Sequence, residues 1–312
     1  RRNLRMDFDV LLDDSLVALG LADGIEAAAN KCLASALNDF ENGAWRYAKF
    51  QNFIWNNVAE TALSHRERQA LEGQPKSLLT AAAKNLRLMD VKVDVKAIGV
   101  GSELAEIVLY GLMRQKFGAL PVVPKIFHKQ NVSDNAKGAD SVHIVVAADG
   151  DFSVWFGEAK CYNNIEDARL GEVVKSVRNS LDSEKLKKEN AIIVNLPELD
   201  DLEIPPETVR KIRKASANKN SIDSIKPRIN IPILLLHECE LTAGATEFTP
   251  EYLDSIREYH KERATAYFKK QAPKLKDVFK YDEVKFHLIL FPVPQKQPIV
   301  DTFVATTTFY KG

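Results

Sequence analysis

Two short apolar runs on either side of Asp149-Gly150 constrain the fold of this 312-residue chain more than any other feature. The runs are Ser141–Ala147 and Phe152–Ala159, and an Asp-Gly pair between alternating strands is a strong hairpin signal. Asp140 opens the first strand, and Glu158 and Lys160 close the second. Folding the hairpin therefore brings three charged groups to one end. Side chains alternate faces along a strand. Asp140, Val142, Ile144 and Val146 share one face of the first strand. Phe152, Val154, Phe156, Glu158 and Lys160 share one face of the second. A two-residue loop would pair 148 with 151, hence 140 with 159, and put the two apolar sets on opposite faces. A loop of odd length, or one bulge, restores a single core face and sets Asp140 beside Glu158 and Lys160. The odd loop or the bulge is expected.

Carboxylates crowded at the edge of an apolar core are costly unless a cation joins them. Three of them can hold a hard divalent metal such as Mg²⁺, with Mn²⁺ able to substitute and waters completing the octahedron. Asp140 and Glu158 supply two, and the third candidate is Glu106, or Glu103, on a helix expected from Ser102 to Gly118. The Ala159 carbonyl can add a further ligand. Such an ion acidifies its bound water into a nucleophile and neutralises charge on a phosphoryl oxygen. Lys160 can orient that water or stabilise the developing negative charge. The chemistry suited to this set is phosphodiester hydrolysis. Glu-x-Lys alone is a common solvated strand end; the hairpin, Asp140 and the helix glutamate together make it a candidate site.

Elsewhere the pattern is of helices first and strands mixed with helices later. Asp23 is a good N-cap for a helix carrying Ile25, Ala28, Ala29, Cys32, Leu33 and Leu37. Trp45, Ala48, Phe53, Ile54, Trp55 and Val58 suggest a second, aromatic-rich one. Ser64-His65-Arg66-Glu67 matches a capping box, with Gly73 and Pro75 as a stop. After residue 99 come β-rich runs at Val122–Ile126, Ala191–Leu196, Ile229–Leu236 and Lys285–Val293. A helix capped by Asn164 carries Ala168, Leu170, Val173, Val174 and Val177. The expected class is α/β (α+β), with a helical region over 1–98 and a mixed sheet flanked by helices over 99–312, ending in a β-rich extension.

Lys plus Arg and Asp plus Glu number 43 each, so the chain lacks the strongly basic balance of many nucleic-acid binders, though a local basic face remains open to it. Arg169, Lys175 and Arg178 follow the motif on its helix and are placed to meet a phosphate backbone. Arg210, Lys211, Arg213, Lys214 and Lys219, in the polar stretch Pro205–Lys226, suit phosphate contacts or a solvated helix face. His143 falls on the odd face, away from Asp140, which fits a supporting role better than a ligand's. Tyr162 can pack behind its strand. Trp45, Phe53 and Trp55 fit core or partner packing better than a base-stacking platform. Cys32, Cys161 and Cys239 are too far apart for a metal knuckle. No apolar run approaches the roughly 18 residues that span a bilayer, and Arg1–Arg5 leads into acidic residues, so a cytoplasmic location without a membrane is expected.

Asp140 with Glu158-Ala159-Lys160 resembles the signature of the PD-(D/E)xK nuclease superfamily, an Asp on one hairpin strand and (Asp/Glu)-x-Lys on the next. Ala139 stands where that superfamily often has proline. Members often carry a glutamate on the preceding helix, and Gly101-Ser102-Glu103-Leu104-Ala105-Glu106 is similar to that element, with spacing that favours Glu106. A narrower resemblance is to the HamA family, the nuclease subunit of the Hachiman anti-phage defence system. It rests on the Glu103–Glu106 helix, Lys125-Ile126, Gly138-x-Asp140-x-x-His143, Trp155-x-Gly157-Glu158-Ala159-Lys160-x-Tyr162 and Ile231-Pro232-Ile233-Leu234. The resemblance implies a DNA-cleaving subunit with a HamB-type superfamily 2 helicase as partner, docked in part by the aromatic-rich region of Trp45, Tyr47, Phe50, Phe53 and Trp55. The competing readings are a non-catalytic nucleic-acid-binding or scaffolding subunit, and a restriction or repair nuclease working alone.

Overall fold

In the computed structural model the described residues are 9–13, 30–87, 99–120, 126, 139–194, 199, 204–217 and 221–312. The first elements are β1 (Asp9–Asp13), β2 (Lys31–Leu37) and a small hairpin of β3 (Phe40–Glu41) and β4 (Ala44–Trp45). Helices α1 (Tyr47–Ala62), α2 (His65–Ala70), α3 (Pro75–Asn85) and α4 (Gly99–Phe117) follow, then β5 (Ser141–Val146) and β6 (Phe152–Tyr162). The remainder is α5 (Asp167–Ser180), α6 (Ser183–Val194), α7 (Pro206–Ser216), β7 (Ile229–Glu238), α8 (Glu240–Gly244), α9 (Pro250–Leu275), β8 (Lys285–Val293) and α10 (Lys296–Lys311).

Six strands form one mixed sheet in the order β1-β2-β8-β7-β6-β5. The pairs β2/β8, β8/β7 and β7/β6 are parallel, and the outer pairs β1/β2 and β6/β5 are antiparallel. Helices cover both faces, which establishes the mixed α/β class. On one face, Val142, Ile144, Val154 and Phe156 pack with Val173 and Val177 of α5 and with Tyr267 and Phe268 of α9. On the other, Trp155, Ala159, Leu234 and Phe291 pack with Phe50, Phe53 and Ile54 of α1 and with Leu104, Val108 and Leu112 of α4. Strand β7 is buried on both faces down to His237, so its sequence is a continuous apolar run rather than an alternation. Pro232 sits inside it without an amide to donate. The β6/β7 ladder accommodates this: Trp155 pairs with Asn230, and pairing resumes at Glu158 with Ile233.

Several expectations are corrected. Residues 31–37 form a central strand rather than the second half of a helix, because β8 and β1 flank them and supply the backbone partners. Asp23, Ile25, Ala28 and Ala29 lie outside the described residues. Strands from both sides of the 98/99 boundary thus share one sheet. Residues 191–194 of the β-rich run Ala191–Leu196 continue helix α6. Of Val122–Ile126, only Ile126 is described. Helices α1 to α4 fall where helices are expected, and Ser64 and Glu67 form the capping box. Pro75 starts α3 rather than merely ending α2, since a proline is tolerated at a helix's first positions. Trp45, Phe50 and Phe53 are buried in the core, and Trp55 packs on Phe303 and Tyr310 of α10. Most of the aromatic stretch is therefore committed within the chain rather than offered to a partner.

Candidate active site

The hairpin closes on three residues. Ala147 N–H donates to the Asp151 carbonyl at 2.8 Å and Gly150 N–H to the Ala147 carbonyl at 2.9 Å, which leaves residues 148–150 as the loop. Gly150, at φ +76°, occupies the left-handed position that three-residue loops place last. The odd length sets the register: Val146 faces Phe152, Ile144 faces Val154, Val142 faces Phe156 and Ser141 faces Gly157. Asp140 N–H donates to the Gly157 carbonyl at 2.8 Å, and Asp140 stands next to Glu158. One register thus buries the even-numbered apolar side chains and gathers the charged ones.

Lys160 Nζ lies 2.9 Å from Asp140 Oδ2 and 3.0 Å from Glu158 Oε2. Asp140 Oδ2 also accepts the Ala159 N–H at 3.1 Å, and Glu158 Oε2 accepts the Ser176 hydroxyl at 2.7 Å. Burial is graded across the group, with side-chain exposures of 4% for Glu158, 16% for Asp140 and 25% for Lys160. Burial and then the charge of Asp140 hold the Glu158 carboxyl above the ordinary carboxylate range, against the opposing pull of Lys160 and Ser176. For Lys160, burial disfavours the charged form, but Asp140 and Glu158 together outweigh it and keep the ammonium above its ordinary value. The amine is protonated and lies between the two carboxylates.

The pair of carboxylates bears on a metal. Two carboxylates, one of them strained by anionic crowding, form a hard-oxygen donor set suited to Mg²⁺, which takes one or two carboxylates and keeps several waters. Among the described residues no group of three His, Cys, Asp or Glu side chains is gathered as a metal site. The structure brings Asp140, Glu158 and Lys160 together, and α4, which carries Glu106, packs on the odd-numbered face of β6. Phe117 of that helix packs on Trp155, with ring centroids 5.0 Å apart, and its earlier turns run toward the Asp140 end. Glu106 itself is buried, and the Glu103 carboxylate accepts the Arg87 N–H at 3.1 Å.

Gly157 lies where α4, β5 and β7 converge. A Cβ there would fall on Ser141 Oγ, 2.8 Å from Leu109 Cδ2 and 3.3 Å from Pro232 Cγ. Gly157→Ala is expected to push β6 off α4 and lower stability by about 1–3 kcal/mol, as overpacking does. Urea denaturation would read this, and an unchanged midpoint would contradict the packing described.

The other sequence candidates divide by position. The Arg169 guanidinium lies 5.5 Å from the Tyr162 ring centroid and pairs with Glu172, on the helix that carries Ser176. Lys175 and Arg178, with Lys274, Lys276 and Asp277, line an open groove between α5 and α9, and Arg178 is engaged by Asp277 at 2.7 Å. Arg210 and Lys211 are exposed on α7, whose Thr208 faces Gly150 in the hairpin loop. They sit at the far end of the hairpin, about 26 Å from Glu158 at roughly 3.3 Å per strand residue. Lys219 lies outside the described residues. His143 is fully buried beside Tyr110, and burial pushes it down to about 3, so it stays neutral. The site residues that sequence reasoning missed are Ser176 and Tyr267, the latter a fully buried neighbour of Glu158 on α9. Helical spacing placed Val173 and Val177 inward, and Ser176 on the same stripe was the available signal.

No curated protein matches the chain in sequence. The HamA family model matches residues 21–306, a span that includes the hairpin, both carboxylates, Lys160 and the helices that pack against them. With most of its length matched, including the whole of this corner, the chain belongs to the HamA family.

Proposed function

We propose that this chain is a Mg²⁺-dependent deoxyribonuclease of the PD-(D/E)xK type. It is the effector of a Hachiman anti-phage complex, working in the cytoplasm with a HamB-type superfamily 2 helicase. The observation that carries the reading is Lys160 set between Asp140 and Glu158 at 2.9 and 3.0 Å, where two apolar strands end. Membership in the HamA family supports the role in anti-phage defence.

Asp140, Glu158 and the Ala159 carbonyl are the residues that would hold Mg²⁺ or Mn²⁺. When bound, the ion supplies an activated water and neutralises charge on the phosphoryl oxygens. Lys160 keeps its proton, shares it with both carboxylates and is the side chain of the group most open to solvent. Its task is to orient the attacking water and stabilise negative charge in the transition state. Arg169, Lys175 and Arg178 grip the phosphate backbone beside the site, and Arg210 and Lys211 meet it farther along. A chain with no net charge gains little from released counterions, so its unaided affinity for DNA is low and the helicase delivers the substrate.

The test is incubation of the purified chain, with and without the neighbouring helicase, on labelled linear and circular DNA with Mg²⁺ or with excess chelator. Metal-dependent cleavage that the helicase alone lacks is expected. No cleavage in any mixture, with no heat on titrating Mn²⁺, would make the chain a scaffolding or DNA-binding subunit instead.

A further inference from the structure

The geometry points to Ser176 as a positioning residue that holds Glu158 ready for the cation, a role that rests on the nuclease reading above. A serine in a helix interior ordinarily returns its hydroxyl proton to its own helix, to a carbonyl three or four residues back. Several such residues in this chain do so: Ser180 to Val177, Ser255 to Glu251, Thr265 to Lys261 and Thr307 to Phe303. Ser176 departs from that habit. Its hydroxyl leaves α5 and donates to Glu158 Oε2 at 2.7 Å, the shortest contact in the corner.

The same oxygen accepts Lys160 at 3.0 Å. Both contacts are to Oε2. Two donors from different elements on one carboxylate oxygen fix both the side-chain rotamer and the plane of the carboxylate that would hold the ion. Tyr267 approaches Glu158 from α9 and Tyr162 from β6, and neither hydrogen-bonds to it among the described residues. Ser176 is therefore the neutral anchor, and Lys160 is left to act on the substrate side.

The anchor itself is held. At the start of α5, Asp167 pairs with Lys270 at 2.9 Å and with Arg263 at 3.7 Å. Near its end, Arg178 pairs with Asp277 at 2.7 Å. The first tie runs to α9 and the second to the residues just past its C-terminus, so the helix that presents Ser176 cannot easily slide along the sheet. Partners that orient a metal ligand typically account for a factor of about 10–100 in metal affinity or activity when removed.

The experiment compares Ser176→Ala, Ser176→Thr and Glu158→Ala in the full chain by calorimetric titration with Mn²⁺, alongside cleavage kinetics with the helicase. Ser176→Ala is expected to weaken Mn²⁺ binding about 10-fold or more. It should lower kcat and leave the KM for DNA unchanged, while Ser176→Thr, which keeps the hydroxyl, restores both. If Glu158→Ala abolishes Mn²⁺ binding but Ser176→Ala binds it like the wild type, the positioning role is wrong and the nuclease reading stands. Failure of Ser176→Thr to recover what Ser176→Ala loses would also overturn the role, by tracing the effect to packing. If Glu158→Ala itself binds Mn²⁺ normally, the metal site is misplaced and both readings fall.

Discussion

Asp140→Ala and Glu158→Ala are each expected to reduce Mg²⁺-dependent DNA cleavage to background while the folded state keeps its stability or gains some. Each substitution removes a ligand, and each relieves crowding between two anions that share one lysine. Glu158 gives the sharper form of the prediction. Its carboxyl lies above the ordinary value in the folded state, through burial first and Asp140 second. An acid raised in this way stabilises the fold below its unfolded value, near 4.5, and loses that contribution as the pH rises through the folded value. Once ionised, Glu158 therefore opposes folding of the metal-free chain. Glu158→Gln keeps an acceptor for Ser176 and removes the charge, so its metal-free melting temperature should exceed the wild type's at pH 7. The gap should narrow toward pH 4. Excess Mg²⁺ should then raise the wild type and leave the variant unmoved, since only a ligand that binds the native state shifts the transition. Scanning calorimetry across pH, with and without Mg²⁺, reads all of this. An equal response of the two proteins to Mg²⁺ would remove Glu158 from the metal site.

Lys160→Ala is expected to slow cleavage about 10²- to 10³-fold, equivalent to about 2.7–4 kcal/mol of transition-state stabilisation, as for the loss of one placed electrostatic group. Mn²⁺ binding should survive, because the carboxylates remain. Stability should move the other way from the carboxylate variants. Without its cation the buried Glu158 loses a donor and faces Asp140 directly, at a cost of about 1–3 kcal/mol to the metal-free fold. Saturating Mg²⁺ should restore much of it by supplying positive charge to the same pair. Lys160→Arg is not a rescue, since a planar fork cannot replace a compact ammonium between two oxygens. A wild-type cleavage rate in Lys160→Ala would refute the mechanism.

The charged corner was legible in the sequence because one alternation rule governed everything in it. Asp-Gly announced the turn, strand parity demanded an odd loop, and that loop put Asp140 and Glu158 together. Strand β8 was legible for a similar reason, as an apolar run rich in Phe, Leu and Ile with clear ends. Strand β2 was not. Cys32-Leu33-Ala34-Ser35-Ala36-Leu37 is buried almost throughout, so it lacks a period of two, and its alanines favour a helix locally. Only β8, far along the chain, makes it a strand. The reverse error at Ala191–Val194 has the reverse cause: aliphatic residues with good strand propensity are carried along by a helix nucleated at Ser183. Ser176 and Tyr267 escaped because their importance lies in what α5 and α9 cover, which no local pattern records.

The placement of β2 against β8 has a consequence for the life of the molecule in the cell. Residues 31–35 pair with 286–290, so β2 waits for a strand made 255 residues later (286 − 31). Such distant pairing is the slow kind, because the entropy of closing the chain must be met before the contacts reward it. A ribosome still making this protein holds the hairpin with Asp140 and Glu158 but has not released β8. Tyr267 and the α9 side chains that tether α5 also emerge late, only shortly before it. The sheet that fixes the corner's geometry therefore closes only once β8 has emerged. Translation products that stop before β8 lack that closure, so none of them carries the completed corner.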